Sequence, residues 1–196
     1  HGWDYHYGYY DHVHCHGFYP PYLFENGEVV RINGNTRDNF GKMPDGESAA
    51  HREIRWNREG CAVYSQDLFD QKIVEFLDRN QDKPFFLYHP TQLPHGPIVI
   101  PEIHPDVADA PGLTQFEKEY ASMILRLDQT VGVILERLKK LGIDEKTTIF
   151  FTSDNGHACY YFENGRMDPR SNVQTGQKYD DVKTKFYTEL SGDVFN

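Results

Sequence analysis

"TIFFTSDNGHACYY", residues 148–161, begins as an apolar run and breaks abruptly into Ser153-Asp154-Asn155-Gly156-His157. Its β-branched and aromatic first half predicts a strand over 147–154. The end of that strand has two readings. Asn and Gly tolerate left-handed geometry, so D-N-G is a common turn. Asp154 and Asn155 also offer a carboxylate and an amide carbonyl, hard oxygen donors suited to Ca²⁺ or Mg²⁺. Which reading applies depends on what the strand belongs to.

Just upstream, Tyr120, Met123, Ile124, Leu127, Val131, Ile134, Leu135, Leu138 and Leu141 recur on one helical face. Thr114 is a plausible N-cap with Glu117 at the capping-box position, and Gly142 is a stop. The spacing predicts a helix over 114–141. Gly132 inside it costs about 1 kcal/mol against Ala, so close packing on a sheet is expected there. Earlier, Leu68, Phe69, Ile73, Phe76 and Leu77 predict an amphipathic helix over 66–80. "PFFLYHP", residues 84–90, then reads as a second apolar strand. Strand, helix and strand in this order imply a parallel pair joined by a right-handed crossover. Apolar strands imply a sheet covered on both faces. The expected class is α/β, and in such sheets ligands bind beyond the carboxyl ends of the strands. Here those ends are "HPTQLPHGP" and "SDNGH".

The N-terminal third is different. Residues 1–25 are dense in aromatics and histidines, and Pro20-Pro21 interrupt any helix. Asn26-Gly27 between "PYLFE" and "EVVRI" predicts a two-residue hairpin. Residues 33–62 are polar and weakly periodic, and read as a surface excursion.

With 196 residues the chain is long enough for one domain with a core, or for a large piece of a bigger one. Its net charge of −10 recruits no polyanion through the overall field, which argues against nucleic acid. No apolar run approaches the ~20 residues of a membrane span. Cys15, Cys61 and Cys159 are odd in number and lack CxxC spacing, so neither a zinc site nor a disulfide framework is read from them; inert thiols are expected. The chain opens at His1 and stops within "SGDVFN", and the expectation is an internal fragment.

His95, in "LPHGP", follows the first strand and is flanked by prolines. It can donate to an anion or protonate a leaving oxygen near neutral pH, or simply pack a loop. His12, His14 and His16 alternate, and if extended they would share one face, as the imidazoles of a zinc or copper site do. Nothing supplies a fourth ligand, and a polar, aromatic-rich wall, either contacting sugars or merely structural, is the stronger reading.

Four blocks in order, "GWDYHYGYYDHVHCHGFYPPYL", "KPFFLYHPTQLPHGP", "EYASMILRLDQTVGVILERLKKLGI" and "TIFFTSDNGH", make the chain resemble the sulfatases of the alkaline-phosphatase-like superfamily. The resemblance implies a three-layer α/β fold with a mixed, mostly parallel sheet between helices. It implies hydrolysis of a sulfate ester, with Ca²⁺ and a formylglycine nucleophile made from a Cys or Ser in a C/S-x-P-x-R motif. By position, Asp154 and Asn155 match metal ligands. His95 matches the P-H-x-P histidine facing the sulfate or the leaving group, and His157 lies beside the site as a substrate-binding candidate. On this resemblance residues 1–196 form one partial catalytic domain: an aromatic segment, hairpin and excursion (1–62), an α/β core (63–159) and a polar tail (160–196).

The departures matter as much. The C/S-x-P-x-R motif, the early acidic ligand pair and the late lysine block have no counterpart in these residues. By itself the chain is expected to be inactive and to bind Ca²⁺ weakly. The partner implied is a sulfated small molecule or polysaccharide, and export to a periplasmic, secreted or lysosomal setting follows by analogy. Two rivals share the fold: a two-metal phosphatase or phosphodiesterase, which typically carries D-H-G where this chain has D-N-G, and a non-catalytic sulfated-glycan-binding homologue. The third is a generic α/β domain in which D-N-G is only a turn.

Overall fold

The computed structural model describes residues 2–36, 57–113, 115–154, 161–162 and 165–166. The chain divides into two units, His1–Met43 with Arg55–Phe150, and Pro44–Ile54 with Phe151–Asn196.

The first unit opens with a three-stranded antiparallel sheet of β1 (Tyr7–Gly8), β2 (Tyr22–Glu25) and β3 (Glu28–Arg31), in that order. β2 and β3 form the predicted hairpin, with Leu23 opposite Val30 and Glu25 opposite Glu28. Asn26 and Gly27 both sit at positive φ, 51° and 98°, as a type I′ turn demands. Asn26 also binds β1: its side chain accepts from the His6 N–H at 2.9 Å, and its own N–H donates to the His6 carbonyl at 3.0 Å.

Helix α1 (Ser65–Asn80) follows the excursion. Its first amide donates to the carbonyl of Phe18 at 2.9 Å, satisfying a group that a helix start leaves open. The two halves of its apolar stripe serve different neighbours. Phe69 packs with Leu23 and Ile32 under the sheet. Ile73 and Leu77 pack on Leu138, with Phe76, Phe85, Leu87 and Ile134 around them. A single turn, α2 (Pro105–Ala108), leads to the long helix α3 (Gln115–Leu141). α3 ends in a Schellman motif: Gly142 at φ 68° donates to Lys139, and Ile143 donates to Leu138 at 3.2 Å. Leu138 and Ile143 share a cluster, which is the apolar contact that motif usually carries. Thr114, the expected cap, lies outside the described residues.

A polar joint locks α1 to α3. The Arg126 guanidinium donates to Asp67 and Asp70, each at 2.7 Å. The Thr130 hydroxyl donates to Asp70 at 2.9 Å and accepts from Gln66 at 3.1 Å and from Arg126 at 3.1 Å. Gln66 and Thr130 are fully buried, so the network satisfies groups that would otherwise be costly to bury.

Among the described residues the expected parallel pair is not formed. Residues 84–90 are extended, with Phe85 and Leu87 against the helices, but they join no ladder among the described residues; neither do 147–150. The strands that do pair are antiparallel. Phe86 and Tyr88 are 74% and 63% exposed, while Phe85 and Leu87 face the helices. Periodicity identifies residues that suit a strand; the ladder itself needs backbone from elsewhere. Gly132 faces open space, with nothing within 4 Å of a Cβ placed there, so it does not mark close packing. Most of the expected excursion, residues 37–56, lies outside the described residues, but the segments that flank it are tied together. Asn35, buried, donates to the carbonyls of Pro20 at 2.9 Å and Val63 at 2.8 Å, and accepts from the amides of Ala62 and Val63, both at 2.8 Å. Gly34 beside it sits at φ 88°, where a Cβ would lie 2.6 Å from that of Ala62.

In the second unit, residues 151–154 are exposed, with a bend at Asp154. β4 (Tyr161–Phe162) pairs antiparallel with β5 (Gly165–Arg166). Among the described residues no helix is long and apolar enough to cross a membrane.

Candidate active site

In the first unit a cavity of about 640 Å³ opens between the N-terminal aromatic segment, α1 and residues 86–96. Phe69, Ile73 and Phe76 of α1 line it, as do Tyr7 and Tyr9. Trp3 lies nearly parallel to Phe86 and Tyr88, with ring centroids 5.8 and 5.9 Å apart and planes within 14°. Such flat aromatic surfaces suit the apolar face of a ring ligand. Burial pushes the Tyr9 phenol well above its ordinary range, and its hydroxyl donates to the Gly17 carbonyl at 2.6 Å. It is a wall group, not a proton donor at neutral pH.

His12, His16 and His95 meet at the cavity's polar end. The rings of His16 and His95 stand 5.2 Å apart, edge to face. His95 is exposed, in the proline-flanked loop; its amide donates to the Gln92 carbonyl at 2.8 Å. Its Nδ1 lies 2.7 Å from the Gly96 carbonyl. A carbonyl only accepts, so Nδ1 carries the hydrogen.

The three alternating histidines do not share a face. Residues 14–16 form a 3₁₀ turn. Asp11 Oδ1 accepts from the amides of Val13 and His14, both at 2.9 Å, which curls the chain instead of extending it. These bonds hold the Asp11 carboxyl below its ordinary range, the one from His14 first. His14 turns inward and packs on Tyr9 and Tyr22, while His12 and His16 line the cavity. Among the described residues no group of three or more His, Cys, Asp or Glu is placed to hold a metal. Cys15 also lines the cavity, but burial raises its thiol pKa, consistent with an inert role.

Asp154 is exposed, at a bend. Asn155, Gly156 and His157 lie outside the described residues, as does Cys159. Sequence reasoning missed Gln92 and Ser65. Ser65 Oγ donates to Gln92 Oε1 at 2.8 Å, and Gln92 Nε2 donates to the Cys15 carbonyl. No periodicity signals a bond between residues so far apart in sequence.

A family model described as "Sulfatase" matches residues 10–188. The chain belongs to the sulfatase family. Membership implies an alkaline-phosphatase-like α/β fold. The sulfatase chain is 37% identical to an N-acetylgalactosamine-6-O-sulfatase of Bacteroides thetaiotaomicron over 143 residues, covering 67% of this chain and 24% of that protein. It is 30% identical to the N-acetylgalactosamine-6-sulfatase of Canis lupus familiaris over 148 residues, 73% of this chain and 27% of that one. A protein named sulfatase from Formosa agariphila is 32% identical over 133 residues, 60% of this chain and 22% of that one. The chain thus spans about a quarter of the length of the relatives it matches.

Proposed function

We propose that the protein carrying this chain hydrolyses a sulfate ester of a sugar, with His95 facing the sulfate or the leaving oxygen. The observation that carries this reading is the position of His95: exposed, beside His16, at the polar end of an aromatic-walled cavity, in a chain matched to the sulfatase family over 10–188. Hydrolysis breaks the S–O bond, and the alcohol oxygen takes up a proton as it leaves. His95 Nε2 is suited to deliver that proton, because Nδ1 already has its hydrogen engaged by Gly96. The stacked rings of Trp3, Phe86 and Tyr88 favour a sugar face over a small inorganic ester.

By the family resemblance Asp154 and Asn155 would be Ca²⁺ ligands, through a carboxylate and an amide oxygen, and His157 a substrate-binding residue. Such oxygens are the right chemistry for a hard cation, but two residues fall short of its ~6–8 donors. The other ligands would be supplied by residues outside 1–196. Such a cation would supply positive charge to an anionic ester, and a formylglycine also outside 1–196 would supply the nucleophile. On this reading residues 1–196 are part of one catalytic domain with a three-layer, mostly parallel sheet. The substrate names of the relatives make a sulfated N-acetylhexosamine the first ligand to try. Export to a periplasmic, secreted or lysosomal compartment is part of the same proposal.

The test is turnover of aryl sulfate and aryl phosphate by the complete product of the encoding gene. Sulfate turnover that exceeds phosphate turnover, and falls at least ~100-fold in His95→Ala, is the expected result. Phosphate turnover in excess would favour a phosphatase of the same superfamily. Tight binding of a sulfated sugar without turnover would favour a non-catalytic glycan-binding protein.

A further inference from the structure

One side-chain amide joins the three segments that meet around His95. Gln92 accepts from Ser65, the first residue of α1, through Oε1 at 2.8 Å. It donates through Nε2 to the carbonyl of Cys15, in the turn that carries His16. Its own carbonyl accepts the His95 amide at 2.8 Å. The orientation of the amide follows from chemistry: the Cys15 carbonyl can only accept, so Nε2 must face it, which leaves Oε1 for the Ser65 hydroxyl. The neighbouring residue is tied to the same helix. Thr91 Oγ1 donates to Gln66 Oε1 at 3.3 Å and accepts the Leu93 amide at 3.1 Å. Gln66 is itself held by Asp70 and Thr130, at 3.0 and 3.1 Å. The segment bearing His95 is therefore registered against a buried joint, and the segment bearing His16 is registered against the same point through Gln92.

We propose that Gln92 is a positioning residue that sets the spacing of the His16 and His95 imidazoles at the mouth of the cavity. This rests on the reading of His95 as the sulfate-facing histidine. Two substitutions separate its bonds. Gln92→Glu keeps an acceptor for Ser65 but places a carboxylate oxygen against the Cys15 carbonyl with no hydrogen between them. Ser65→Ala removes the tie to α1 and leaves the bridge to Cys15.

The experiment uses the complete gene product and three readouts: aryl sulfate kinetics, thermal unfolding, and the ¹³Cε1–¹Hε1 resonances of its histidines. For Gln92→Glu the expected result is a fall in kcat of about tenfold, with KM changed less than about twofold. Tm should shift by less than about 4 °C. The resonances of His16 and His95 should both move while that of His104 stays in place. In a His16→Ala background the kcat penalty should shrink to less than about twofold, since the spacing no longer matters. Ser65→Ala should show the same pattern with a smaller amplitude. The proposal is overturned if the His16 and His95 resonances stay put. It is equally overturned if the kcat loss persists undiminished in the His16→Ala background, or if it tracks a large fall in Tm. A wild-type protein with no sulfate turnover would overturn the sulfatase reading alone; the resonances then decide the role of Gln92 by themselves.

Discussion

Helices α1 and α3 and the extended segment 84–90 are neighbours with opposite characters. The helices satisfy their own backbone, share Ile73, Leu77 and Leu138, and are joined by Arg126, Asp70, Gln66 and Thr130. Segment 84–90 presents Phe85 and Leu87 to that core and turns Phe86 and Tyr88 outward. The difference shows how far each kind of element depends on the rest of a chain. A helix closes its hydrogen bonds locally, whereas an extended segment has the pattern of a strand before it has the ladder of one.

The sharpest way to break this comparison is to truncate one residue on each side of it. Leu77→Ala should cost about 3–4 kcal/mol in urea unfolding, because the site is enclosed by both helices. Phe86→Ala should cost less than about 1 kcal/mol, because most of its surface is already in water. A large cost at Phe86 would show that its outward face is covered in the complete protein. Next in size is Arg126→Met, which leaves Asp70 without its guanidinium in a mostly buried setting. It should cost about 2–3 kcal/mol, and Asp70→Asn in that background should recover part of the loss.

The same joint has a pH signature. Burial holds the His89 imidazole below its ordinary pKa of 6.5, with Asp70 opposing that shift. The unfolded chain therefore binds the proton more readily than the folded one. This contribution to stability is intact above pH ~6.5 and is lost as the pH falls towards the folded-state value. His89→Gln should flatten that part of the profile in pH-dependent unfolding. The smallest effect expected is a gain: Gly132→Ala should stabilise α3 by up to about 1 kcal/mol, since a Cβ there meets nothing within 4 Å. A loss instead would mean that a surface packs on Gly132 in the complete protein.

The helices were legible because their information is local. Spacing and end signals placed 66–80 and 114–141, against Ser65–Asn80 and Gln115–Leu141. Asn26-Gly27 announced its turn for the same reason, since few residues accept positive φ twice in succession. The exposed loop that carries His95 was legible from its two prolines and its place after an apolar run. What the sequence did not disclose is what distant segments decide between them. The partner of an extended run is one case. Another is Asp11 capping the turn that sends His14 inward while His12 and His16 face the cavity. Gln92 is the extreme case, an ordinary amide in a proline-rich loop whose bonds reach Cys15 and Ser65.

Asn35 leaves a consequence for how such a chain can diversify. It holds both roots of the excursion to each other and to Pro20, so the interval between them hangs from an anchor that does not depend on its content. Closing a longer loop on such an anchor is cheap, at about 0.6 kcal/mol for each doubling of length. Descendants of this sequence can therefore lengthen, shorten or rewrite the interval while inheriting the hairpin and α1 unchanged, provided that Gly34 and Asn35 stay.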